Sequence, residues 1–142
     1  MKVNDILKGK GNITLSVTPD TIILDALRLM SEKNVGALLV MENEKLIGIF
    51  SERDYARKII LKGRTALDTQ VGEIMTSEVI TISPDETIEQ CMKLMSQKRI
   101  RHLPFVQSSK VVGVISIGDV VKFIIEEQET VIEHFKLYIS GS

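Results

Sequence analysis

The chain has 142 residues, and its 18 lysines and arginines against 19 acidic residues leave a formal net charge of -1. This length is enough for one compact domain or for two small halves that share a core. The balanced charge and the few aromatic residues (no Trp, two Tyr, four Phe) argue against a nucleic-acid-binding surface, which needs a basic field or stacking platforms.

The termini and the cysteine content exclude further classes. Residues 1–7 contain no apolar targeting core, and no apolar run approaches the length that spans a bilayer. We therefore expect a cytoplasmic protein without a membrane contact. The single cysteine, Cys91, excludes an internal disulfide framework and lies among apolar residues, which predicts a small buried side chain.

The first half of the chain predicts the element order β-α-β-β-α. A short strand is expected over 13–17, followed by a helix with Thr18 as N-cap and Pro19 at its first position. Apolar spacing supports that helix as far as Met30. Two nearly continuous apolar strands, 37–41 and 46–50, flank a polar turn, and a closing helix carries Tyr55, Ile59 and Ile60.

The second half repeats this order at a shift of 65 residues. The shift places Thr18-Pro19-Asp20 on Ser83-Pro84-Asp85 and the segment 48–54 on 113–119, without a gap from 13 to 58. It predicts strands at 79–82, 102–106 and 111–115, a helix capped by Ser83, a turn at 107–110 and a helix that begins near Ser116.

The predicted fold class is therefore α/β (α+β), with two pseudo-symmetric repeats packed through their sheets. We place the first repeat at residues 1–66, the second at 67–126, and a C-terminal helix and tail at 127–142. In the last segment, Glu129–Ile139 shows an apolar side that could pack on the domain or on a second subunit.

The start of the helix near Ser116 is a candidate anion site, because the first backbone N–H groups of a helix have no partner inside it. Gly118 keeps this turn free of side-chain bulk, so that a ligand could approach the backbone. Ser116 offers a hydroxyl and Asp119 a carboxylate that suits the paired hydroxyls of a ribose. The same Ser-x-x-Asp pattern is also a capping box, which would use both side chains within the helix start.

The doubled unit, with Ser/Thr-Pro-Asp before one helix and Gly-h-h-Ser-x-x-Asp before the next (h, apolar), resembles a tandem pair of CBS domains, the cystathionine-β-synthase type of regulatory module. The resemblance covers residues 3–123. It implies a module without catalytic activity that binds AMP, ATP, NAD or S-adenosylmethionine between its repeats and signals energy or redox state to a regulated protein. It implies a homodimer as well.

By this resemblance, the main nucleotide site would be built from residues of the second repeat. Asp119 would take the ribose hydroxyls, and Ser116 the ribose or phosphate. Arg101 and His102 would contact the phosphate, and Val79, Ile80 and Pro104 would line the adenine slot. Arg101 could instead belong to a solvated basic run, and His102 to the edge of the core.

The first repeat departs from this pattern, because Gly36 and Ala37 stand where the second has Arg101 and His102. Its candidate residues are Ser51, Arg53 and Asp54 at the helix start, together with Gly36 and Ala37. Arg53 could supply the missing cation. We therefore expect a weaker first site, which is empty or holds an uncharged part of a dinucleotide.

Two alternatives come from other functional classes. Ser116, His102 and Asp119 are the residue types of a hydrolytic triad, but the serine and the carboxylate share one helix turn and no Gly-x-Ser-x-Gly elbow is present. With two histidines in the chain, a histidine-based metal site is not expected. The other alternative is a ligand-independent interaction or dimerisation module.

Overall fold

The computed structural model describes residues 3, 5, 6 and 15–140. These residues form a mixed α/β structure of short helices, small sheets and one long C-terminal helix. The strands are β1 (Ser16–Val17), β2 (Ala37–Glu42), β3 (Lys45–Ser51), β4 (His102–Gln107) and β5 (Lys110–Ser116). The helices are α1 (Ile23–Lys33), α2 (Glu52–Asp54), a π-helix (Tyr55–Ile60), α3 (Val71–Ile74), α4 (Ile88–Lys98) and α5 (Ile117–Ser140).

The chain divides into two compact units that are not continuous in sequence. The first-repeat unit consists of Ile13–Thr81 with Ser108–Val111, and the second-repeat unit of Met1–Asn12, Ile82–Gln107 and Val112–Ser142. Helix α3 and the segment after it, up to Thr81, therefore belong to the first-repeat unit, although they lie within the range predicted for the second repeat. The predicted repeat boundaries, after residues 66 and 126, stay a prediction.

In the first-repeat unit, the sheet order is β1-β2-β3. Strand β1 runs parallel to β2, while β2 and β3 form an antiparallel hairpin in which Ala37 pairs with Ser51. Asn43 and Glu44, both at positive φ, form its two-residue turn, the backbone conformation that matches the twist of a hairpin. One side of α1 closes the core against this sheet; the fully buried residues here include Ile23, Ala26, Leu38, Val40, Phe50 and Ile59.

The closing helix of this unit changes character after one turn. Helix α2 begins at the cap Ser51 and continues as the π-helix, of which Ile59 is buried and Ile60 is 55% exposed. Ile60 therefore lies in the closing helix, as predicted, but on its solvent side.

In the second-repeat unit, every strand and helix of the hairpin region falls at the shift of 65 residues predicted from sequence. Helices α1 and α4 match residue for residue, as do β2 with β4 and β3 with β5. Burial follows the same shift, since Ile88, Cys91, Met95, Leu103, Phe105 and Ile115 occupy the places of buried first-repeat residues. The predicted duplication, the α/β class and the buried Cys91 are confirmed.

Two predicted helix starts, one in each unit, are wrong. Helix α4 is capped by Thr87, whose hydroxyl accepts from the Gln90 N–H at 3.1 Å, whereas Ser83 accepts from Asp85 N in a preceding turn. In the same way, α1 starts only after the cap Ile22 instead of at Thr18. The predicted strand 79–82 is reduced to a parallel bridge between Ile82 and Phe105.

The separate C-terminal helix predicted from residue 129 is instead the second half of α5. The helix runs without a break through Glu126–Thr130, where no Gly or Pro interrupts it and several residues are strong helix formers. Within the described part of the chain, no helix has the length and apolar character needed to cross a membrane.

Candidate functional site

The candidate site in the second-repeat unit is the junction of β5 and α5. The Ser116 N–H donates to Asp119 Oδ2 at 2.9 Å, and the Asp119 N–H donates to Ser116 Oγ at 3.1 Å. The capping box is therefore formed. It satisfies two backbone N–H groups and holds both side chains in fixed positions at the end of the strand.

Arg101 lies beside this helix start. Its carbonyl oxygen accepts a hydrogen bond from the Ile117 N–H at 2.8 Å, so the residue that precedes β4 is tied to the first residue of α5. Arg101 is exposed, the neighbouring His102 is half-buried and Pro104 is buried within β4. Five of the predicted residues, Arg101, His102, Ser116, Gly118 and Asp119, thus belong to adjoining ends of one strand pair and one helix.

Gly118 has no structural requirement to be glycine. A Cβ added there would meet only Ser116 Oγ, at 3.6 Å, which is an ordinary contact distance. The residue is exposed in the first turn of α5. An added methyl group would therefore occupy space outside the fold.

The remaining predicted residues of this site, Val79 and Ile80, are half-buried and belong to the first-repeat unit. Their role as adenine-lining residues stays a prediction.

At the equivalent helix start in the first-repeat unit, the aspartate is more buried and makes additional contacts with protein groups. Ser51 and Asp54 form the same capping box, with Asp54 Oδ2 accepting from the Ser51 N–H at 2.9 Å. The other carboxylate oxygen, Oδ1, accepts from Thr76 Oγ1 at 3.2 Å and lies 3.1 Å from Lys58 Nζ. Asp54 is only 7% exposed, so its carboxylate is buried and has protein partners on both oxygens.

Lys58 and Thr76 are the site residues that the sequence reading missed. Lys58 also donates to the Ile74 carbonyl at 2.9 Å, which joins the π-helix to the end of α3. The spacing from Asp54 to Lys58 is four residues, a helical ion-pair signal that could have been found in the sequence. At the shift of 65, Lys58 corresponds to Phe123, which has no donor, so the two helix starts differ at this position.

The other first-site candidates are placed around this start. The Gly36 carbonyl accepts from the Glu52 N–H at 3.1 Å, Ala37 pairs with Ser51, and Arg53 is exposed in the first turn of α2. Among the described residues, no cluster of three or more His, Cys, Asp or Glu side chains is placed to hold a metal ion.

The comparison with protein families agrees with the duplicated architecture. The model of the CBS domain matches the chain twice, over residues 12–61 and 71–126. The chain belongs to the CBS-domain family. Two CBS domains in tandem form a regulatory module, and CBS domains commonly bind adenine nucleotides.

Individual relatives agree over most of the chain. The CBS-domain-containing protein CBSX3 of Arabidopsis thaliana, named as mitochondrial, is 40% identical over 98% of this chain and 72% of its own length. The YhcV protein of Bacillus subtilis is 36% identical over 73% of this chain and 74% of its own. The solved structure of a CBS-domain protein from Burkholderia ambifaria, which is named for signal transduction, is 44% identical, with a TM-score of 0.87 over 90% and 96% of the two chains.

Proposed function

We propose that this CBS-domain chain is a non-catalytic regulatory module that binds an adenosine-containing nucleotide and passes the binding event to a protein partner. AMP is the first candidate ligand; NAD, ATP and S-adenosylmethionine share its adenosine part. The observation that carries the proposal is the junction of β5 and α5, where the Ser116 and Asp119 side chains lie at a helix N-terminus that is bonded to the backbone carbonyl of the exposed Arg101.

The chemistry of this junction suits a nucleotide. A carboxylate can accept hydrogen bonds from two ribose hydroxyls, and a guanidinium can donate two bonds to a phosphate. The N-terminus of a 24-residue helix adds a favourable potential for an anion. In this proposal Asp119 binds ribose, Ser116 binds ribose or phosphate, and Arg101 and His102 bind phosphate.

The first-repeat helix start should bind more weakly. A ribose that approached Asp54 would have to displace the Thr76 hydroxyl or the Lys58 ammonium group from a buried carboxylate. Each displacement costs a charge-assisted hydrogen bond. This geometry supports the expectation, based on Gly36 and Ala37, that the two sites are unequal.

The test is calorimetric titration of AMP into the whole chain and into two single variants. Asp119→Ala should weaken AMP binding at least tenfold, because charged hydrogen bonds to ribose are worth about 1.5 to 3 kcal/mol. Because Asp119 also caps α5, its loss alone would not separate ligand binding from helix stability.

The variant Gly118→Ala distinguishes an effect on ligand binding from an effect on helix stability. The added methyl group meets no backbone, so thermal unfolding should be unchanged or slightly improved, while a ligand placed at the helix start loses space. Equal AMP affinity in the wild-type chain and both variants would remove this junction from the site. No heat of binding with AMP, NAD, ATP or S-adenosylmethionine would refute the proposed ligand class.

An exposed apolar surface favours a second candidate, a ligand-independent interaction module. Phe135, Leu137 and Tyr138 on α5 are all more than 60% exposed.

We infer a homodimer for both candidate functions. A structural relative from a cyanobacterium, the CBS-CP12 protein, is named as hexameric; it is 27% identical to this chain, with a TM-score of 0.75. The regulated protein stays unidentified, and the cytoplasmic location stays a prediction. If the chain is a ligand-independent interaction module, adding AMP will leave its melting temperature unchanged. A nucleotide sensor would instead be stabilised by mass action, which raises its melting temperature.

A further inference from the structure

Helix α5 carries an apolar stripe beyond the residues that it buries in its own unit. Val120 is its one fully buried residue. From the next residue onward, six positions recur at alternating spacings of three and four, and five of them are apolar. They are Val121, Ile124, Gln128, Val131, Phe135 and Tyr138, of which Ile124 is half-buried and the others are exposed.

This spacing is the heptad repeat of coiled coils, whose seven positions are labelled a to g. The residues at positions a and d face the partner helix. Val121, Gln128 and Phe135 occupy position a. Ile125 and Ile132 follow the d residues directly, at position e, and widen the stripe. Such a face exceeds the scattered apolar residues of an ordinary monomer surface, since Val131 is 62% and Phe135 63% exposed.

We propose that this stripe is the contact between two copies of the chain, and that their α5 helices pair in antiparallel orientation. The inference deepens the homodimer part of the proposed function and does not depend on nucleotide binding. An antiparallel pair of helices places each a residue in a layer with a d residue of the other copy.

In one register of the two α5 helices, every layer of the contact contains one stripe residue from each copy. It sets Val121 against the partner's Tyr138, Ile124 against the partner's Phe135, and Gln128 against the partner's Val131. The aromatic end of each helix then packs on the aliphatic start of the other. The two Gln128 residues fall in adjacent layers, about 4.5 Å apart along the axis, within reach of a mutual hydrogen bond.

The flanking positions decide the orientation. In the antiparallel register, Glu127 lies beside the partner's His134, which can donate a hydrogen bond to a carboxylate, and Ile125 lies beside the partner's Ile132. In a parallel pair, g residues face e residues, so Glu127 would face Ile132 and His134 would face Ile139. That arrangement places both polar side chains against apolar ones and leaves no complementary pair.

The first experiment measures the mass of the chain by sedimentation equilibrium without nucleotide. Phe135→Glu lies on the stripe and should raise the dimer dissociation constant at least a hundredfold. Leu137→Glu is the matched control, because Leu137 is equally exposed (65%) but lies at position c, off the stripe. Both positions are exposed, so the thermal unfolding of the monomer unit should be the same in both variants.

The second experiment determines orientation by disulfide cross-linking. The chain's one cysteine, Cys91, is buried and does not compete. Val121→Cys and Tyr138→Cys, mixed, should cross-link to each other. Tyr138→Cys alone should not cross-link, because antiparallel pairing holds its two copies apart by about 26 Å, the rise of 17 helical residues.

Each other outcome overturns the inference. A dimer that survives Phe135→Glu would place the homodimer contact elsewhere and leave the proposed function standing. Rapid cross-linking of Tyr138→Cys with itself would show parallel pairing. A monomeric wild-type chain would refute both the stripe contact and the homodimer, whether or not AMP binds.

Discussion

Lys58 Nζ lies 3.1 Å from Asp54 Oδ1 and donates to the Ile74 carbonyl at 2.9 Å. One side chain thereby neutralises a buried carboxylate and ties the π-helix to α3. The same carboxylate caps α2 through Ser51. At the other helix start, Asp119 caps α5 in the same way, but position 123 is a phenylalanine that cannot donate. The duplicated halves therefore share a backbone plan and differ in what surrounds the key carboxylate.

Replacing Lys58 with Met should lower the free energy of unfolding by about 1 kcal/mol. Hydrogen bonds to charged groups are worth about 1.5 to 3 kcal/mol, and this value is reduced because the lysine side chain is 41% exposed and partly screened. Urea unfolding measures the change. Lys62→Met, at an exposed turn position nearby, should have little effect; equal losses for the two variants would show that the Lys58 contacts contribute nothing specific.

Arg101→Ala should reduce the affinity for AMP at least tenfold and that for adenosine less than twofold. Only AMP carries the phosphate that a guanidinium would bind in two-point fashion. Calorimetry with both ligands gives the ratio, and Lys98→Ala, in the same basic run, is the control for a general loss of positive charge. If both ligands weaken equally on Arg101→Ala, the residue supports the fold and does not bind phosphate.

Gly48→Ala should destabilise the first-repeat unit by about 1 to 3 kcal/mol, the usual cost of overpacking a core. A Cβ at residue 48 would overlap Met75 Sδ and lie 3.1 Å from the Thr76 carbonyl oxygen. Strand β3 is bonded to this segment through Ile49 and Thr76, so the clash also disturbs the Thr76 hydroxyl that contacts Asp54. Thermal unfolding compares it with Gly118→Ala, where space is open, and a wild-type midpoint for Gly48→Ala would contradict the prediction.

Burial raises the pKa of the Cys91 thiol from 9.0 to about 11. The folded state therefore holds the thiol proton more tightly than the unfolded state. The resulting stabilisation is complete below pH 9 and is lost as pH rises from about 9 to about 11. Urea unfolding at pH 8 and pH 10 should show a larger loss for the wild-type chain than for Cys91→Ala. Identical pH dependence in the two proteins would mean that the thiol does not contribute.

Much of the fold could be predicted from the sequence because it depends on short-range patterns. Nearly continuous apolar runs bounded by polar turns predicted both hairpins, and the shift of 65 residues carried the element bounds of one repeat onto the other. The buried faces of α1 and α4 followed from helical spacing in the same way. The helix starts were less accurate, because Thr18 and Ser83 lie in turns that precede the helices, while Ile22 and Thr87 occupy the cap positions.

The serine and aspartate of each candidate site could also be predicted from the sequence, since a capping box is a local motif of four residues. The partners of Asp54 could be predicted from the sequence only in part. Lys58 is one helical turn away and leaves a spacing signal, whereas Thr76 is 22 residues distant and reaches the carboxylate only because α3 returns its chain to β3.

The sequence by itself determined that this protein is a duplicated α/β chain with two Ser-x-x-Asp helix starts and a cation next to only one strand. Periodicity and repetition are carried by neighbouring residues, so they survive without coordinates. Tertiary structure alone decided that Asp54 is buried with protein partners on both carboxylate oxygens, that each compact unit is discontinuous in sequence, and that α5 exposes most of an apolar stripe. These properties depend on which distant segments pack together, and burial is a property of that packing.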